Sequence, residues 1–139
     1  MVTYDEYPTN MVSEIKFEGD YGLVQIAGLD YNSYFTVIDK DGKQLFEPIL
    51  YHNSYHVGKR VLREGLLVYY TKVVSEGSTE NRAAVVDVNG NTVIPENAGY
   101  CYISNFSGGY AFAQKGETGD MVVIDAKGNI VADTFTIKQ

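Results

Sequence analysis

Short apolar runs separated by polar turn residues recur along the chain, and three of them end in the same motif. Each of the three runs finishes on Asp-x-x-Gly and is followed closely by a second apolar segment, at residues 39–42, 87–90 and 125–128. In a type I turn, Asp at the first position accepts a hydrogen bond from a backbone N–H two residues on, and Gly at the fourth position adopts a positive φ. The pattern therefore predicts three β-hairpins closed by one kind of turn.

Two further landmarks keep the same order around each predicted hairpin. A glycine close to the start of an apolar strand precedes each hairpin, at Gly22, Gly65 and Gly109. A tyrosine opens each segment further upstream, at Tyr4, Tyr51 and Tyr100. A repeat unit buries its apolar face mainly by stacking on its neighbours. We therefore predict one compact all-β domain of three antiparallel hairpin or meander units, at residues 4–48, 49–96 and 97–139.

The repeated residues resemble a known family. The third unit has Phe-Ser-Gly-Gly-Tyr-Ala at 106–111 and Val-Ile-Asp-Ala-Lys-Gly-Asn at 123–129, and the second has Val-Ile-Pro at 93–95. This order resembles the WG-repeat family of bacterial all-β repeats. The chain has no tryptophan, and Phe35-Thr36, Ala83-Ala84 and Met121-Val122 stand where the Trp-Gly pair would fall, so it looks like a divergent relative. The resemblance implies a binding or scaffolding role and supplies no functional residue to carry over.

Composition agrees with strands and argues against a membrane span. Of the 139 residues 45% are hydrophobic, and 12 tyrosines and 6 phenylalanines favour strands over helices. The most helix-like stretch, residues 58–67, is short, so we expect at most one helical turn. A bilayer span needs about 20 apolar residues, and no such run is present. The first residues lack the basic and apolar regions of a signal peptide, which predicts a cytoplasmic protein as written, or an exported one if the chain belongs to a longer exported protein.

Net charge limits the class of partner. The chain carries 18 acidic and 11 basic residues, for a net charge of -7. Because phosphate backbones are bound by concentrated basic surfaces, direct binding to nucleic acid is not expected. The acidity permits an alternative function, a stand-alone inhibitor or decoy that docks on a basic protein surface. Its candidate acidic residues are Asp5, Glu6, Glu14, Glu18, Asp20 and Asp30.

Candidates for catalysis or metal binding are few. Strands rather than helices flank the Asp39 motif, which is unlike a calcium-binding EF-hand. His52 and His56 have the spacing that ligates zinc on a helix, but on a strand they would be too far apart for one ion. The lone Cys101 lies in a predicted strand and is expected to be a small buried apolar residue. We therefore predict no catalytic residue, no metal and no cofactor.

Tyrosine-rich segments are the candidate binding residues. Tyrosine combines an apolar ring with a polar tip and is enriched in interfaces. The stretches around residues 31–34 and 51–55 mix Tyr with Asn and Ser, a composition suited to adaptable recognition. The competing interpretation is that most tyrosines form cross-strand pairs that stabilise hairpins. The polar connection between Lys72 and Arg82 is expected to be a loop. The candidate partner-binding residues are Tyr31, Tyr34, Tyr51, Tyr55, Glu76 and Glu80.

These observations favour a non-enzymatic binding or scaffolding module. The expected partner is another protein or a cell-surface component, and the oligomeric state is open. The acidic inhibitor is the alternative, and an enzyme ranks third because no catalytic motif is present.

Overall fold

A computed structural model describes residues 11–28, 32–52, 62–75, 77–115, 119 and 121–132. This part of the chain is all-β, as predicted, with three antiparallel sheets of four strands. The first sheet contains β1 (Met11–Glu18), β2 (Tyr21–Ala27), β3 (Ser33–Asp39) and β4 (Ile49–Tyr51). The second contains β5 (Leu62–Arg63), β6 (Leu66–Ser75), β7 (Ser78–Asp87) and β8 (Thr92–Ile94). The third contains β9 (Tyr100–Ile103), β10 (Tyr110–Lys115), β11 (Met121–Asp125) and β12 (Ile130–Ala132).

A single turn of 3₁₀ helix, Glu96–Ala98, lies between the second and third sheets. It differs from the helical stretch expected at residues 58–67, whose described part forms β5, a turn and the start of β6. In the described ranges, no helix is long and apolar enough to cross a bilayer.

The first sheet extends beyond the predicted repeat boundary at residue 48. Each sheet is a meander, and β4 is hydrogen-bonded to β3, with Phe35 opposite Ile49. The chain already runs beside β3 earlier, because the Leu45 N–H donates to the carbonyl of Val37 at 2.9 Å. Pro48 lies between the two stretches and has no N–H to donate, which accounts for an interruption there. The edge of the first sheet is therefore built from two short pieces.

The three Asp-x-x-Gly motifs form the predicted turns. In each, the glycine N–H donates to the aspartate carbonyl at 3.0 Å. One carboxylate oxygen accepts from the backbone N–H groups two and four residues on, at 2.9 Å each. The φ angles of Gly42, Gly90 and Gly128 are 85°, 82° and 87°. Asp39, Asp87 and Asp125 therefore stabilise turns.

The strand register is the same in all three sheets. The residue that begins the second strand lies opposite the turn aspartate, in the pairs Tyr21–Asp39, Leu66–Asp87 and Tyr110–Asp125. This identity is consistent with three related units. The shared register also shows that Gly22 is not equivalent to the other two landmark glycines. Gly65 and Gly109 come just before the first residue of the second strand, whereas Gly22 comes just after Tyr21 and lies opposite Ile38. Asp20 occupies the place equivalent to Gly65.

The sheets stack in one direction. Paired residues on neighbouring strands share a face, and successive residues alternate between faces. We call the face that contains Leu23, Val68 and Phe112 the forward face of the first, second and third sheets, and the opposite face the rear face. One core cluster joins the first forward face, with Leu23 and Phe35, to the second rear face, with Leu67 and Val86. The other joins the second forward face to the third rear face.

Candidate protein-interaction surface

We call the turn between the first and second strands of each sheet its hairpin turn. In the first two sheets, a carboxylate at this turn accepts hydrogen bonds from the hairpin turn of the next sheet. Glu18 accepts a hydrogen bond through Oε1 from the N–H of Glu64 at 2.9 Å. The carboxylate of Glu64 in turn accepts from the N–H groups of Gly108 and Gly109, at 2.6 and 2.8 Å. Successive N–H groups in a left-handed turn form a concave site for an anion, and Gly108 and Gly109 both have positive φ. The series ends at the third sheet, where Gly108 stands at the position of Glu64.

A second contact recurs at the Asp-x-x-Gly turns. An added Cβ at Gly90 would lie 2.6 Å from Cγ of Phe46, which belongs to the preceding sheet. At Gly128 the Cβ would lie 2.9 Å from Cγ1 of Ile94, the residue equivalent to Phe46. No described sheet precedes that of Gly42, and a Cβ added there would have no atom of the described residues within 4 Å. Absence of a side chain thus provides room for the neighbouring sheet at two of the three turns.

A large apolar residue on each rear face stands beside the hairpin turn. Leu62 and Phe106 are 5% and 2% exposed, and each packs in the core cluster shared with the preceding sheet. Phe17 is the equivalent residue of the first sheet, since Phe17 lies opposite Gly22 as Leu62 lies opposite Leu67. Phe17 is 51% exposed. All three sheets thus have a large apolar residue at this position, but no described sheet covers Phe17.

The forward face of the third sheet is open. Phe112 is 54% exposed, whereas the equivalent residues Val68 and Leu23 are 5% and 1% exposed because the next sheet covers them. Tyr102, Tyr110 and Met121 are exposed on the same face. We call these four residues, Tyr102, Tyr110, Phe112 and Met121, the open face. Large contiguous apolar patches are uncommon on monomers and mark interaction sites.

Two polar side chains beside the open face, Gln114 and Asp125, form hydrogen bonds with the backbone of the same chain. Gln114 donates through Nε2 to the carbonyl of Gly119 at 3.0 Å. Backbone hydrogen bonds from Asn129 and then Lys127 hold the pKa of the Asp125 carboxyl below its usual 3.8. Asp125 therefore stays charged at the turn end of the face, and the centre of the face presents uncharged rings and a thioether.

A separate cleft of about 370 Å³ lies between the first and second sheets. Its lining is mixed, with Asn32, Leu50, Tyr51, His52, Thr71, Lys72 and Glu96. Thr71 donates through its hydroxyl to Oε2 of Glu96 at 2.6 Å. Burial, and then the charge of Glu96, raise the pKa of the nearby Tyr69 phenol. The described lining of the cleft presents hydrogen-bonding groups beside the apolar side chain of Leu50.

The predicted partner-binding residues are not gathered at one described surface. Tyr51 is buried against Phe35, with ring centroids 5.8 Å apart, and its hydroxyl donates to Oε1 of Gln25 at 2.9 Å. Tyr34 is half-buried on the rear side of β3, and Glu80 forms an ion pair with Arg82 on β7. Tyr31, Tyr55 and Glu76 lie outside the described residues. Their binding role stays a prediction, and Tyr51 has a packing role as well.

The connection expected between Lys72 and Arg82 is not a loop. Strands β6 and β7 stay paired through this stretch, with Lys72 opposite Asn81 and the last pair at Ser75 and Ser78. Gly77, with a φ of 81°, lies in the tight turn that joins them. The prediction was wrong because the polar composition of residues 75–82 suggests irregular structure, whereas backbone pairing requires no apolar side chains.

Of the residues in the metal and cysteine predictions, the structure describes His52 and Cys101 but not His56. His52 is half-buried, and His56 lies outside the described ranges. In the described part of the chain, no group of three or more His, Cys, Asp or Glu side chains is arranged to hold a metal ion. Cys101 is half-buried in β9 rather than fully buried.

The open face was missed at the level of sequence. Strand β10 reads Tyr-Ala-Phe-Ala, so both of its faces are apolar and the alternation does not show which one is covered. The sequence of β10 therefore holds no signal for the exposed face, because the packing of whole sheets decides which face is covered.

The described residues define an all-β arrangement of three stacked sheets in which the forward face of the third sheet is exposed. No family model matches the chain, and neither a curated protein nor a solved structure was found to match it. The resemblance to WG repeats therefore stays a prediction.

Proposed function

We propose that the chain is a non-enzymatic binding or scaffolding module and that the open face is its binding surface for another protein. The observation that carries this proposal is the exposure of Phe112 at a position where the first two sheets bury Leu23 and Val68. Burying a side chain of this kind contributes about 1.5–3 kcal/mol, so covering it provides a driving force for association.

The chemistry of the open face supports a protein partner. Aromatic residues and methionine are enriched at the centres of protein interfaces, where charged residues are depleted. Tyr110 and Phe112 stand on a paired strand, so little backbone order has to be gained on binding. A binding role also agrees with what the resemblance to WG repeats implies.

The acidic inhibitor receives less support. One of its candidate residues, Glu18, accepts a hydrogen bond from Glu64 within the chain, and Asp5, Glu6 and Asp30 lie outside the described residues. An acidic docking surface would require carboxylates directed at the partner. Glu18 instead helps to join the first two sheets.

Site-specific photo-crosslinking in lysate of the source organism tests the proposal. A photoreactive phenylalanine analogue replaces Phe112 in one variant and Asn97, an exposed residue away from the open face, in the control. We expect discrete protein adducts at position 112 and none at position 97. Equal labelling at the two positions, or no adduct at 112, would contradict a binding role for the open face.

A further inference from the structure

The internal packing of the sheets is directional, and this direction makes the two ends of the stack different. At both internal interfaces, a forward face covers the rear face of the next sheet. Among the three described sheets, the rear face of the first and the forward face of the third are therefore the two faces that no other described sheet covers. Interfaces between unlike surfaces can continue from one molecule to the next.

The open face closely matches a face that is already covered by a rear face. The first forward face has Tyr21, Leu23 and Gln25 along β2, and the third has Tyr110, Phe112 and Gln114 at the equivalent positions of β10. On the paired strands, Val37 is equivalent to Val123 and Phe35 to Met121. A rear face that packs on the forward face of the first sheet is thus chemically suited to the forward face of the third.

The first sheet offers the corresponding rear surface. Phe17 is exposed at the position where Leu62 and Phe106 are buried by the preceding sheet, and Ile15 is exposed beside it. The space over Gly42 is open where Gly90 and Gly128 receive Phe46 and Ile94. Val24 and Thr36, in the middle of the same face, are buried, so the accessible surface is the β1 side and the turn end.

We propose that the open face binds the Phe17 side of the first sheet in a second copy of this chain, so that the molecules associate head to tail. This inference rests on the proposed function, because it requires the open face to be a binding surface. The contact differs from the internal packing in three respects. Gly108 provides no carboxylate where Glu64 does. Ala132 stands where Phe46 and Ile94 fill the space over the next turn, and the middle of the first rear face is already covered at Val24 and Thr36. The missing hydrogen bonds predict an association weaker than the internal interfaces.

Charge predicts the salt dependence of this association. Two copies with a net charge of -7 repel each other, while the open face itself presents uncharged groups. Added salt screens the repulsion and leaves apolar burial intact. We therefore expect the head-to-tail contact to tighten, rather than weaken, as the salt concentration rises.

Complementary variants of the full chain test the proposal by sedimentation equilibrium over a wide concentration range. Phe112→Lys alters the open face and Phe17→Lys alters the rear surface. Ile15→Lys is a second rear variant, because the Phe17 ring also packs over Gly22 of its own sheet and its loss can affect folding. Asn97→Lys makes the same charge change at an exposed site outside both surfaces. Circular dichroism melting verifies that each variant is folded.

The wild type and Asn97→Lys should self-associate, and each surface variant alone should lose at least about tenfold in association constant. An equimolar mixture of Phe112→Lys and Phe17→Lys should recover a dimer, because one intact forward face and one intact rear surface remain. A monomeric wild type, or loss of association in Phe112→Lys but in neither rear variant, would overturn the head-to-tail contact. Adducts with other proteins at position 112 beside a monomeric wild type would uphold the proposed function and reject this inference.

Discussion

The second and third sheets have the same strand register and the same kind of Asp-x-x-Gly turn, yet the forward face of the second is buried and that of the third is exposed. Val68 and Val85 of the second sheet are buried, whereas the equivalent Phe112 of the third is exposed and Val123 is half-buried. The larger residue is the more exposed one, so hydrophobicity does not explain the difference. The difference comes from position in the stack, because the third sheet covers the second and no described sheet covers the third.

This contrast separates the residues that fold the chain from those available to a partner. A buried position tolerates neither charge nor cavity, whereas an exposed apolar position changes stability little when it is substituted. Equivalent positions therefore provide matched pairs of variants that differ in the presence of a neighbouring sheet.

The largest expected effect comes from adding a charge at the two equivalent forward positions. Val68→Lys places an unpaired ammonium in a core cluster and should cost more than about 4 kcal/mol, while Phe112→Lys should change stability by less than about 0.5 kcal/mol. Urea denaturation measures both values. Similar losses in the two variants would show that the open face is covered within the chain.

The turn glycines give the next largest difference. Alanine at Gly42 or Gly90 must adopt a positive φ, which costs about 1–2 kcal/mol. At Gly90 the added methyl also meets the ring of Phe46, and such overpacking adds about 1–3 kcal/mol. Thermal melting should therefore rank Gly90→Ala well below Gly42→Ala. The reverse order, or an unchanged melting temperature in both, would contradict the contact between turns and neighbouring sheets.

Removal of the carboxylates that link the hairpin turns should have a moderate effect. Glu64→Ala leaves the N–H groups of Gly108 and Gly109 without this acceptor and should cost about 1–2 kcal/mol, whereas Glu18→Ala removes one bond and should cost about 1 kcal/mol or less. Chemical denaturation gives the comparison, and Glu64→Gln, which keeps an acceptor oxygen, is the control. Slower amide exchange at Gly108 and Gly109 in Glu64→Ala would count against the proposed bonds.

The smallest expected effect is the pH dependence of the Asp125 turn. Folding lowers the pKa of Asp125 below 3.8, so the unfolded chain binds this proton more tightly than the folded chain. The stabilising contribution is then fully present above about pH 4 and is lost as pH falls through the folded pKa. Side-chain carboxyl NMR should show a midpoint below 3.8, and Asp125→Asn should lessen the acid dependence of melting. A midpoint at or above 3.8 would argue against capping by the N–H groups of Lys127 and Asn129.

Local interactions explain why much of the fold was predictable. The Asp turns depend on residues within four positions of each other, so their geometry follows from the sequence around Asp39, Asp87 and Asp125. The pairing of β6 with β7 beyond Lys72 was missed because the hydrogen bonds of a ladder do not depend on side-chain type. The place of β4 was also missed, since its pairing with β3 spans the irregular stretch around Pro48.

The sequence by itself determined an all-β chain, the three turns and the apolar strands between them, because hydrogen bonds within a turn and alternation along a strand are properties of neighbouring residues. Only the tertiary structure decided that Glu18 and Glu64 bind the next hairpin turn, that Tyr51 packs on Phe35, and that Phe112 is uncovered. Burial depends on which sheet lies against which face, and residues far apart in the chain establish that contact.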